Sequence, residues 1–304
     1  MKKILLTIIL SLLLTSCNNP FSAGTLTWTA INVNAYIQQG DAHLISKNGK
    51  HILIDVGHRS YAKKILIPTL QKAGVKSIDK VLITHPHNDH YGGLKPLIDA
   101  GMKIKAIYMN MPTKKQMAQE PWGGSYAELD EIQLLAKKAD IPVVPIVMGD
   151  KYTFDSDTYI EVLYVYNGIN TPVGKTDLND MSAVCMVYHG ENRFLLTGDL
   201  NKKLGGYLAK NVDNLRADIL KSPHHGTEHF APNAFFDKVE AKVLIVPAPK
   251  HIWWSENSKR TRNLARQKGY ETYVNGFHGN ITVTSDGTRY TIKTDREITG
   301  ILSK

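Results

Sequence analysis

Three histidines and one aspartate lie within six residues of this chain, in the run His85–His90 (H-P-H-N-D-H). The run follows a short apolar segment that predicts a strand and precedes a segment that predicts a helix. In extended backbone a spacing of two puts His85 and His87 on the same side, and the next turn lets Asp89 and His90 face a nearby point. Imidazole and carboxylate groups suit zinc, and the lack of a neighbouring cysteine argues against a closed structural site. The pattern favours an open metal centre over a solvated, histidine-rich turn.

Alternating strand and helix signals predict the scaffold that must position this run. Short segments rich in Val, Ile, Leu or Tyr predict strands at Leu26–Val33, His51–Asp55, Lys80–Thr84, Ile104–Met109, Thr158–Tyr164, Ser182–Tyr188, Arg193–Leu196, Ile219–Ser222, Val243–Val246, Glu271–Val274 and Ile281–Thr284. Helices are predicted at Ala62–Ala73, Ser125–Ala139, Lys202–Lys210 and Lys259–Lys268. Met111–Gly124 shows neither pattern and is either an active-site loop or a long surface loop. No linker or repeat divides the chain, which favours one α/β domain with helices covering its sheets.

The composition is that of an ordinary globular protein. Hydrophobic residues make up 42% of the 304 residues and charged residues 21%, which excludes a disordered tail and a collagen-like fibre. Two cysteines are too few for a disulfide scaffold. The formal net charge of +9 fits a solvated, lysine-rich surface and only weakly indicates anionic partners.

The first residues predict an export signal. A short positive start precedes the apolar run Ile4–Leu14, which is too short to span a membrane as a helix, since that needs about 20 residues. The segment ends Leu-Thr-Ser-Cys, which resembles a bacterial lipobox and implies cleavage before Cys17 and lipid attachment to its sulfur. We therefore expect a lipoprotein signal peptide at 1–16, a tether at 17–24 and a hydrolase domain at 25–304, anchored to a membrane of the bacterial cell envelope.

The histidine run and other motifs of the chain resemble the metallo-β-lactamase superfamily. Residues 85–93 meet the superfamily signature H-x-H-x-D-H-x-G-G. Further marks follow the family's pattern, at Asp55 (strand ending in D-x-G), Asp199 (strand ending in G-D) and His224-His225 (paired histidines after a strand). The resemblance covers nearly all of the chain after the tether. It implies an α/β fold, the αβ/βα four-layer sandwich with metals at one edge.

One departure from the family narrows the expected chemistry. β-Lactamases, glyoxalases and lactonases of this superfamily supply a third histidine to the first metal between the positions of His90 and Asp199, where this chain has only His189. His189 lies in a predicted hairpin turn, and we expect it to be exposed to solvent. The stretch from Asn179 to Ser182 instead resembles the N-x-x-S of ComEC-type competence hydrolase domains and teichoic-acid phosphorylcholine esterases. The resemblance therefore favours phosphoester chemistry over antibiotic or thioester hydrolysis.

Two metal ions are implied by the resemblance, either zinc or another divalent transition metal such as Mn²⁺, about 3.5–4 Å apart. The implied ligands, which Asp199 bridges, are His85 and His87 for one ion and Asp89, His90 and one of the paired histidines for the other. The resemblance favours His225 over His224 as that ligand. Zinc lowers the pKa of a bound water to about 7, which makes hydroxide available at neutral pH. The ions would also neutralise charge that builds up on phosphate oxygens.

Residues around the metals receive roles from the same resemblance. Asp89 and His224 are implied as catalytic residues, His224 either as a proton donor or as a group that orients a ligand. Asp55, Asn179 and Ser182 are expected to orient ligands through hydrogen bonds without binding metal themselves.

Aromatic residues beside the motifs are candidates for substrate contacts. They are Tyr91, Trp122, Trp253 and Trp254, whose faces can hold a quaternary ammonium group or stack on bases. Packing within the fold is the alternative for most of them.

These observations lead to one function and two alternatives. We expect an envelope-anchored dinuclear zinc phosphodiesterase that acts on a small or polymeric anionic phosphoester outside the cytoplasm. The alternative among enzymes is a ComEC-like nuclease that degrades extracellular DNA, so nucleic acid is a candidate partner beside the membrane. The alternative from another class is a non-catalytic lipoprotein that binds a metal or ligand, against which the retained ligand set argues. The sequence indicates neither the substrate nor the oligomeric state.

Overall fold

The strands of this protein carry apolar side chains on both faces, and the fold covers both faces of each sheet. Leu82 packs between two sheets, whereas the adjacent Val81 packs against helices on the outside. Phe194 of the other sheet packs in the same inner layer, and its neighbour Leu195 packs against helices on the opposite outer face. Because successive side chains of a strand point to opposite faces, this pattern needs helix, sheet, sheet and helix in four layers. The predicted αβ/βα sandwich is confirmed.

The computed structural model describes residues 24–33, 38–120, 124–227 and 229–302. The first sheet has eight strands, in the order Tyr290–Thr294, Ile281–Ser285, Leu26–Ala30, Ala42–Lys47, Lys50–Val56, Lys80–Ile83, Ile107–Met109 and Val143–Val144. The second has seven, in the order Glu271–Val274, Val243–Val246, Ile219–Lys221, Asn192–Leu196, Val184–His189, Thr158–Tyr164 and Lys151–Thr153. Two small sheets pair Ser77–Ile78 with Lys103–Ile104 and Asn170–Thr171 with Gly174–Lys175.

Helices cover the outer face of each sheet. Those on the first sheet are Arg59–Tyr61, Ala62–Leu66 (a π-helical turn), Ile67–Lys72, Leu94–Asp99, Lys114–Met117 and Tyr126–Lys138. Those on the second are Lys202–Asn211, Asn233–Val239, Lys250–Trp254 and Lys259–Lys268. Short helices and turns at Asn88–Tyr91, Leu178–Met181, Pro223–Gly226, Glu256–Ser258 and Asn275–His278 complete the described elements. Within the described ranges, no helix combines the length and the apolar character needed to cross a membrane.

The longest helix shows why these segments fold as they do. Ser125 caps Tyr126–Lys138 by accepting a hydrogen bond from a backbone N–H of the first turn. Leu129, Ile132 and Ala136 follow at helical spacing and are the buried residues of the helix. The apolar face therefore packs on the first sheet and the charged face remains in solvent.

Parallel strands bring the motif residues to one edge of the sandwich. Lys50–Val56 and Lys80–Ile83 run parallel in the first sheet. Asn192–Leu196, Ile219–Lys221 and Val243–Val246 run parallel in the second. The metal-binding motifs follow the carboxyl ends of these strands, where open α/β sheets form their clefts.

Most predicted elements are present with ends that shift by one to a few residues, but the predicted strand Ile104–Met109 is divided into Lys103–Ile104 and Ile107–Met109, which lie in different sheets. Ala42–Lys47 and Tyr290–Thr294 are the longest of the described strands that the sequence did not predict. Ala42–Lys47 contains a histidine, a serine and a lysine, which weaken its strand signal. Tyr290–Thr294 is an edge strand that buries no residue. The unpatterned segment Met111–Gly124 contains a short helix, Lys114–Met117.

The expectation that His189 is exposed was wrong. His189 ends the strand Val184–His189 and is only 2% exposed. Its Nε2 lies 2.9 Å from Nζ of Lys47, and its Nδ1 lies 2.8 Å from Oγ of Ser285. Neighbouring strands cover this residue with polar partners, at the end of its strand away from the metal motifs.

Candidate metal centre and active site

The H-P-H-N-D-H run forms the turn between a strand and a helix. The strand Lys80–Ile83 ends just before His85, which is almost fully buried. His87 has extended backbone and precedes the short helix Asn88–Tyr91. Within that first helical turn His90 is completely buried. The change from strand to helix thus points three imidazoles towards the same sheet edge.

Two glycines let this turn pack against the strand that carries Asp55. A Cβ on Gly93 would lie 2.3 Å from the carbonyl oxygen of Val56. A Cβ on Gly92 would lie 2.7 Å from the backbone nitrogen of Arg59. Only glycine permits so close an approach of two backbones, which gives the G-G of the signature a physical reason.

Four side chains from three segments converge on one point. Nε2 of His90 lies 3.2 Å from Oδ2 of Asp199, and Nε2 of His225 lies 3.1 Å from the same oxygen. Oδ2 of Asp89 lies 3.2 Å from Nε2 of His225. One ligand atom from each of the four residues lies within 4.8 Å of all the others. We call these four residues the carboxylate–histidine cluster.

Unsatisfied atoms in the cluster fit a divalent cation. Nε2 of His90 and Nε2 of His225 are buried and have no partner with hydrogen-bond geometry among the described residues. A carboxylate oxygen lies close to each of them all the same. Atoms in this arrangement face a common centre rather than each other, as metal ligands do. Two imidazoles with two carboxylates suit zinc or manganese, so the residues fit the implied metal.

A second pair of nitrogens lies beside the cluster. Nε2 of His85 and Nδ1 of His87 are 3.0 Å apart. The ring of His85 lies 4.0 Å from the ring of His90, centre to centre. The fold therefore brings the six predicted ligands together, and their division between two ions stays a prediction.

Hydrogen bonds behind the imidazoles decide which ring nitrogen faces the site. Nδ1 of His90 donates to Oδ2 of Asp55 at 2.8 Å, and Nδ1 of His225 donates to the carbonyl of Pro247 at 3.1 Å. A proton on Nδ1 leaves Nε2 as the acceptor, so both rings offer a lone pair to the cluster. Asp55 also accepts hydrogen bonds from the N–H and the hydroxyl of Thr84, each at 2.8 Å. These contacts match the orienting role expected for Asp55.

Ser182 and Asn179 lie in the same turn and differ in what they contact. Oγ of Ser182 accepts a hydrogen bond from the N–H of Asp199 at 2.9 Å and lies 3.2 Å from Nδ1 of His85. Ser182 thus contacts two of the predicted ligands. The amide of Asn179 is 1% exposed, and neither Oδ1 nor Nδ2 has a hydrogen-bond partner among the described residues. Asn179 lines the pocket instead of orienting a ligand, which differs from its expected role.

The paired histidines occupy a strained turn. His224 and His225 have φ angles of 50° and 51°, which is left-handed backbone that non-glycine residues rarely adopt. The turn sends the two rings to different places. His225 joins the cluster, whereas His224 lines the pocket. The geometry therefore favours His225 over His224 as the ligand.

Buried charges shift the pKa values of the cluster. Burial alone would lower the pKa of His90, but the surrounding carboxylates, chiefly that of Asp199, raise it well above its usual value. Burial would also lower the pKa of His225, but the carboxylates of Asp199 and Asp41 raise it well above its usual value. Burial would raise the pKa of Asp89, yet the two imidazoles lower it to about 2. Protons and a metal ion would therefore compete for the same nitrogens.

A pocket of about 470 Å³ opens above the cluster. Its lining residues are Gln38, Gln39, His58, His87, Asn88, Asp89, Asn179, Asp199, His224 and Ile252. No lysine or arginine is found among the described residues of this lining. Burial lowers the pKa of His224, aided by His225 and opposed by Asp199. A substrate in this pocket would meet neutral amides and imidazoles around the carboxylates.

The aromatic residues proposed for substrate contact occupy different places. Trp253 is fully buried and donates its indole N–H to the carbonyl of Ile301, so it packs in the core and the expectation for it was wrong. Tyr91 is also fully buried, is not one of the lining residues of the pocket, and donates its hydroxyl to Oε2 of Glu128 at 3.2 Å. Trp254 packs edge-on against Phe277. The sequence could not separate these from pocket residues, because apolar packing needs the same side chains.

Two predicted residues lie outside the described ranges. They are Trp122, proposed for substrate contact, and Cys17, proposed for lipidation. The signal peptide at 1–16 and nearly all of the tether lie outside as well.

Sequence reasoning missed three charged residues beside the ligands. Lys221 and Asp41 are each 1% exposed and form an ion pair behind the cluster. Oε1 of Glu120 lies 3.4 Å from Nε2 of His87. The lysine that ends the apolar strand Ile219–Lys221 was a signal of a buried charged partner, because burial of an unpaired charge is costly. Asp41 and Glu120 carry no such local signal.

Comparison with known proteins identifies the domain. The model of the family described as "Metallo-beta-lactamase superfamily" matches residues 35–163. The chain is 27% identical over 222 residues to ComE operon protein 3 of Bacillus subtilis, covering 73% of this chain and 26% of that protein. It is 26% identical over 232 residues to Recombination protein 2 of Haemophilus influenzae, covering 75% and 25% respectively. The chain thus aligns with about a quarter of the length of these curated relatives.

A solved structure shows the same fold. The metallo-beta-lactamase fold protein YhfI from Bacillus subtilis superposes with a TM-score of 0.55 at 14% identity, covering 86% of this chain and 100% of that one. The matched family model and the shared fold show a metallo-β-lactamase domain in this chain, and proteins of the superfamily that the model describes are generally metal-dependent hydrolases.

Proposed function

We propose that this protein is a dinuclear zinc phosphodiesterase acting on a phosphoester outside the cytoplasm. The observation that carries the proposal is the convergence of Asp89, His90, Asp199 and His225, with His85 and His87 beside them, beneath an open pocket. Divalent ions held there would supply Lewis-acid stabilisation of phosphoryl oxygens and a water of lowered pKa.

The protein's own groups would prepare the site for that reaction. Asp55 and Ser182 fix the orientation of His90, His85 and Asp199 through their hydrogen bonds. Asn179 would donate its amide N–H groups to a phosphoryl oxygen, because the amide lines the pocket and has no partner among the described residues. His224 would exchange a proton with the leaving group from the pocket wall.

The missing third histidine supports phosphoester chemistry over β-lactam hydrolysis. His189 is the single histidine between the positions of His90 and Asp199, and it bonds Lys47 and Ser285 instead. The first ion would therefore have fewer protein ligands than in the lactamases that the chain resembles. Fewer protein ligands leave more coordination positions for substrate oxygens.

The test is a comparison of substrates with the purified, zinc-loaded protein. Bis-p-nitrophenyl phosphate, p-nitrophenylphosphorylcholine, single-stranded DNA and nitrocefin are assayed side by side. We expect turnover of at least one phosphodiester and none of nitrocefin. Efficient nitrocefin hydrolysis without phosphodiester hydrolysis would overturn the proposal.

DNA cleavage is the second candidate activity. The alignment with Recombination protein 2 over 75% of this chain favours it. In the same assay, cleavage of single-stranded DNA well above that of the small esters would support the nuclease. Tight zinc binding with no turnover of any ester would support the non-catalytic lipoprotein.

Location is a separate proposal, supported by the lipobox-like sequence before Cys17. The protein would be exported and held at a membrane of the cell envelope by a lipid on that sulfur. Cys17→Ser should release the protein from membranes or block its processing. A variant that fractionates and migrates like the wild type would contradict the anchor.

A further inference from the structure

A buried ion pair lies directly behind the carboxylate–histidine cluster. Lys221 and Asp41 are each 1% exposed, and Nζ of Lys221 contacts Oδ2 of Asp41. Nζ also donates to the carbonyl of Gly198 at 2.8 Å and lies 3.5 Å from Oδ1 of Asp199. A lysine is seldom buried so completely, because desolvation of its charge must be offset by several partners.

The other side of the pair contacts a second ligand. Oδ1 of Asp41 lies 3.3 Å from Nδ1 of His225, whose Nε2 faces the cluster. Asp41 comes from the segment just before the strand Ala42–Lys47 of the first sheet, whereas Lys221 ends a strand of the second. The pair therefore joins the two sheets at the edge where the ligands meet.

The two oxygens of Asp199 have different partners as a result. Oδ1 lies beside Lys221, and Oδ2 lies beside Nε2 of both His90 and His225. With Oδ1 held by an ammonium group, Oδ2 is the oxygen that remains for a metal ion.

We propose that Lys221 and Asp41 are positioning residues, which fix Asp199 and His225 so that Oδ2 and Nε2 are presented to the metal. Neither residue binds the metal in this proposal. The positioning role rests on the proposed metal centre, since Asp199 and His225 need this orientation only if they bind a metal ion. Residues that orient metal ligands commonly change metal affinity by roughly 10–100-fold when they are replaced.

The test is the double variant Asp41→Asn/Lys221→Met. It removes one negative and one positive charge, so the net charge beside the metal does not change and Coulomb effects are minimised. Zinc affinity is measured by competition with a chromophoric chelator, and the ligand geometry by the visible spectrum of the cobalt-substituted protein. We expect zinc binding at least about 10-fold weaker and an altered cobalt spectrum, in a protein that still folds.

A buried cation at the far end of the fold provides the control. Lys47 pairs with Asp155 at 3.1 Å, and its side chain is 3% exposed. Asp155→Asn/Lys47→Met should lower the thermal midpoint without changing zinc affinity or the cobalt spectrum. Weaker zinc binding in this control as well would mean that any loss of stability weakens the site, and would overturn the positioning role.

The outcomes distinguish failure of the proposed metal centre from failure of the positioning role. Failure of the wild type to bind zinc would remove the proposed function itself. Wild-type zinc affinity and an unchanged cobalt spectrum in the folded double variant would overturn the positioning role alone.

If the double variant does not fold, Asp41→Asn decides, because it keeps the shape of the side chain. Because this single variant removes a negative charge near the metal, the cobalt spectrum rather than the zinc affinity is its deciding measurement. The spectrum should be altered, and an unchanged spectrum would overturn the inference.

Discussion

Asp199 is the residue on which the cluster depends most. Its Oδ2 lies 3.2 Å from Nε2 of His90 and 3.1 Å from Nε2 of His225, and Ser182 holds its backbone N–H. Removing an anion between two dications would leave their repulsion uncompensated. We expect Asp199→Ala to retain clearly fewer than two zinc ions and to lose essentially all turnover, measured by elemental analysis and a phosphodiester assay.

Asp180 is the matched control for that experiment. It is fully buried in the turn near Asp199 and accepts a hydrogen bond from the N–H of Asn201 at 2.9 Å. Asp180→Asn should keep the wild-type zinc content. A fully loaded, active Asp199→Ala protein would refute the dinuclear assignment, and zinc loss in Asp180→Asn would place a ligand in this turn.

Asn179 tests whether the pocket amide contacts substrate. Asn179→Ala should keep the wild-type zinc content and lower kcat by roughly 100- to 1,000-fold, since loss of one aligned donor to a developing oxyanion costs about that much. Elemental analysis and steady-state kinetics measure the two effects separately. Loss of zinc on this substitution would show instead that the amide oxygen is a ligand.

Asp180 also predicts a pH dependence of stability. Burial raises the pKa of its carboxyl to about 7, against the hydrogen bond from Asn201. Between about pH 4 and 7 the folded state keeps the proton that the unfolded state has lost, so this group lowers stability as the pH rises. Asp180→Asn should therefore raise the free energy of unfolding above about pH 7, by roughly 1 to 4 kcal/mol.

Urea titrations of both proteins across this pH range give that difference. The stability gain from Asp180→Asn should shrink towards zero below about pH 4, because the carboxyl of Asp180 is then protonated in both the folded and the unfolded wild type. A gain that does not depend on pH would contradict the raised pKa.

At the scale of elements, the strained turn Pro223–Gly226 is the feature that places the paired histidines. His224 has a φ angle of 50°, which costs a residue with a Cβ roughly 1 kcal/mol or more relative to glycine. His224→Gly should therefore be more stable than His224→Ala by about 1 kcal/mol, although glycine is usually the less stable of the two. Denaturant unfolding of the metal-free proteins measures the difference. If alanine were the more stable variant, the turn would not be strained.

At the scale of the whole molecule, zinc should stabilise the fold in a pH-dependent way. The cluster joins segments from both sheets, so a bound ion links them and binds the folded state selectively. The raised pKa values of His90 and His225 mean that protons compete with zinc even near neutral pH. The increase in thermal midpoint caused by zinc should grow between about pH 6 and pH 9.

Chelation provides the contrast for this experiment. In excess EDTA the protein holds no zinc, so its thermal midpoint should vary with pH only as the metal-free protein does. The difference between the zinc and EDTA midpoints at each pH is the stabilisation that zinc causes. An increase that is constant over this pH range would show that the two imidazoles are not ligands.

Local sequence determined the parts of this protein that depend on neighbours along the chain. The H-P-H-N-D-H run and Asp199 each follow an apolar strand, and Asp55 lies near the carboxyl end of another. Polar residues at the end of an apolar strand indicate the edge of a sheet. The G-G that follows the histidine run lets its backbone approach the carbonyl of Val56 closely. The alternation of strands and helices predicted one α/β domain with covered sheets, whereas the four-layer arrangement was implied by the resemblance to the metallo-β-lactamase superfamily.

Tertiary structure alone decided the parts that depend on residues far apart in the sequence. Asp41 and Lys221 form an ion pair because the two sheets pack face to face. The residues beside either of them in the sequence do not predict that they will meet. Trp253 and Trp254 are adjacent, yet one is buried and the other partly exposed, since only packing decides which face of a short helix is covered. His189 is buried because two strands of the other sheet bring Lys47 and Ser285 to it. Burial is a property of the assembled layers, whereas ligand types and spacings are properties of the chain.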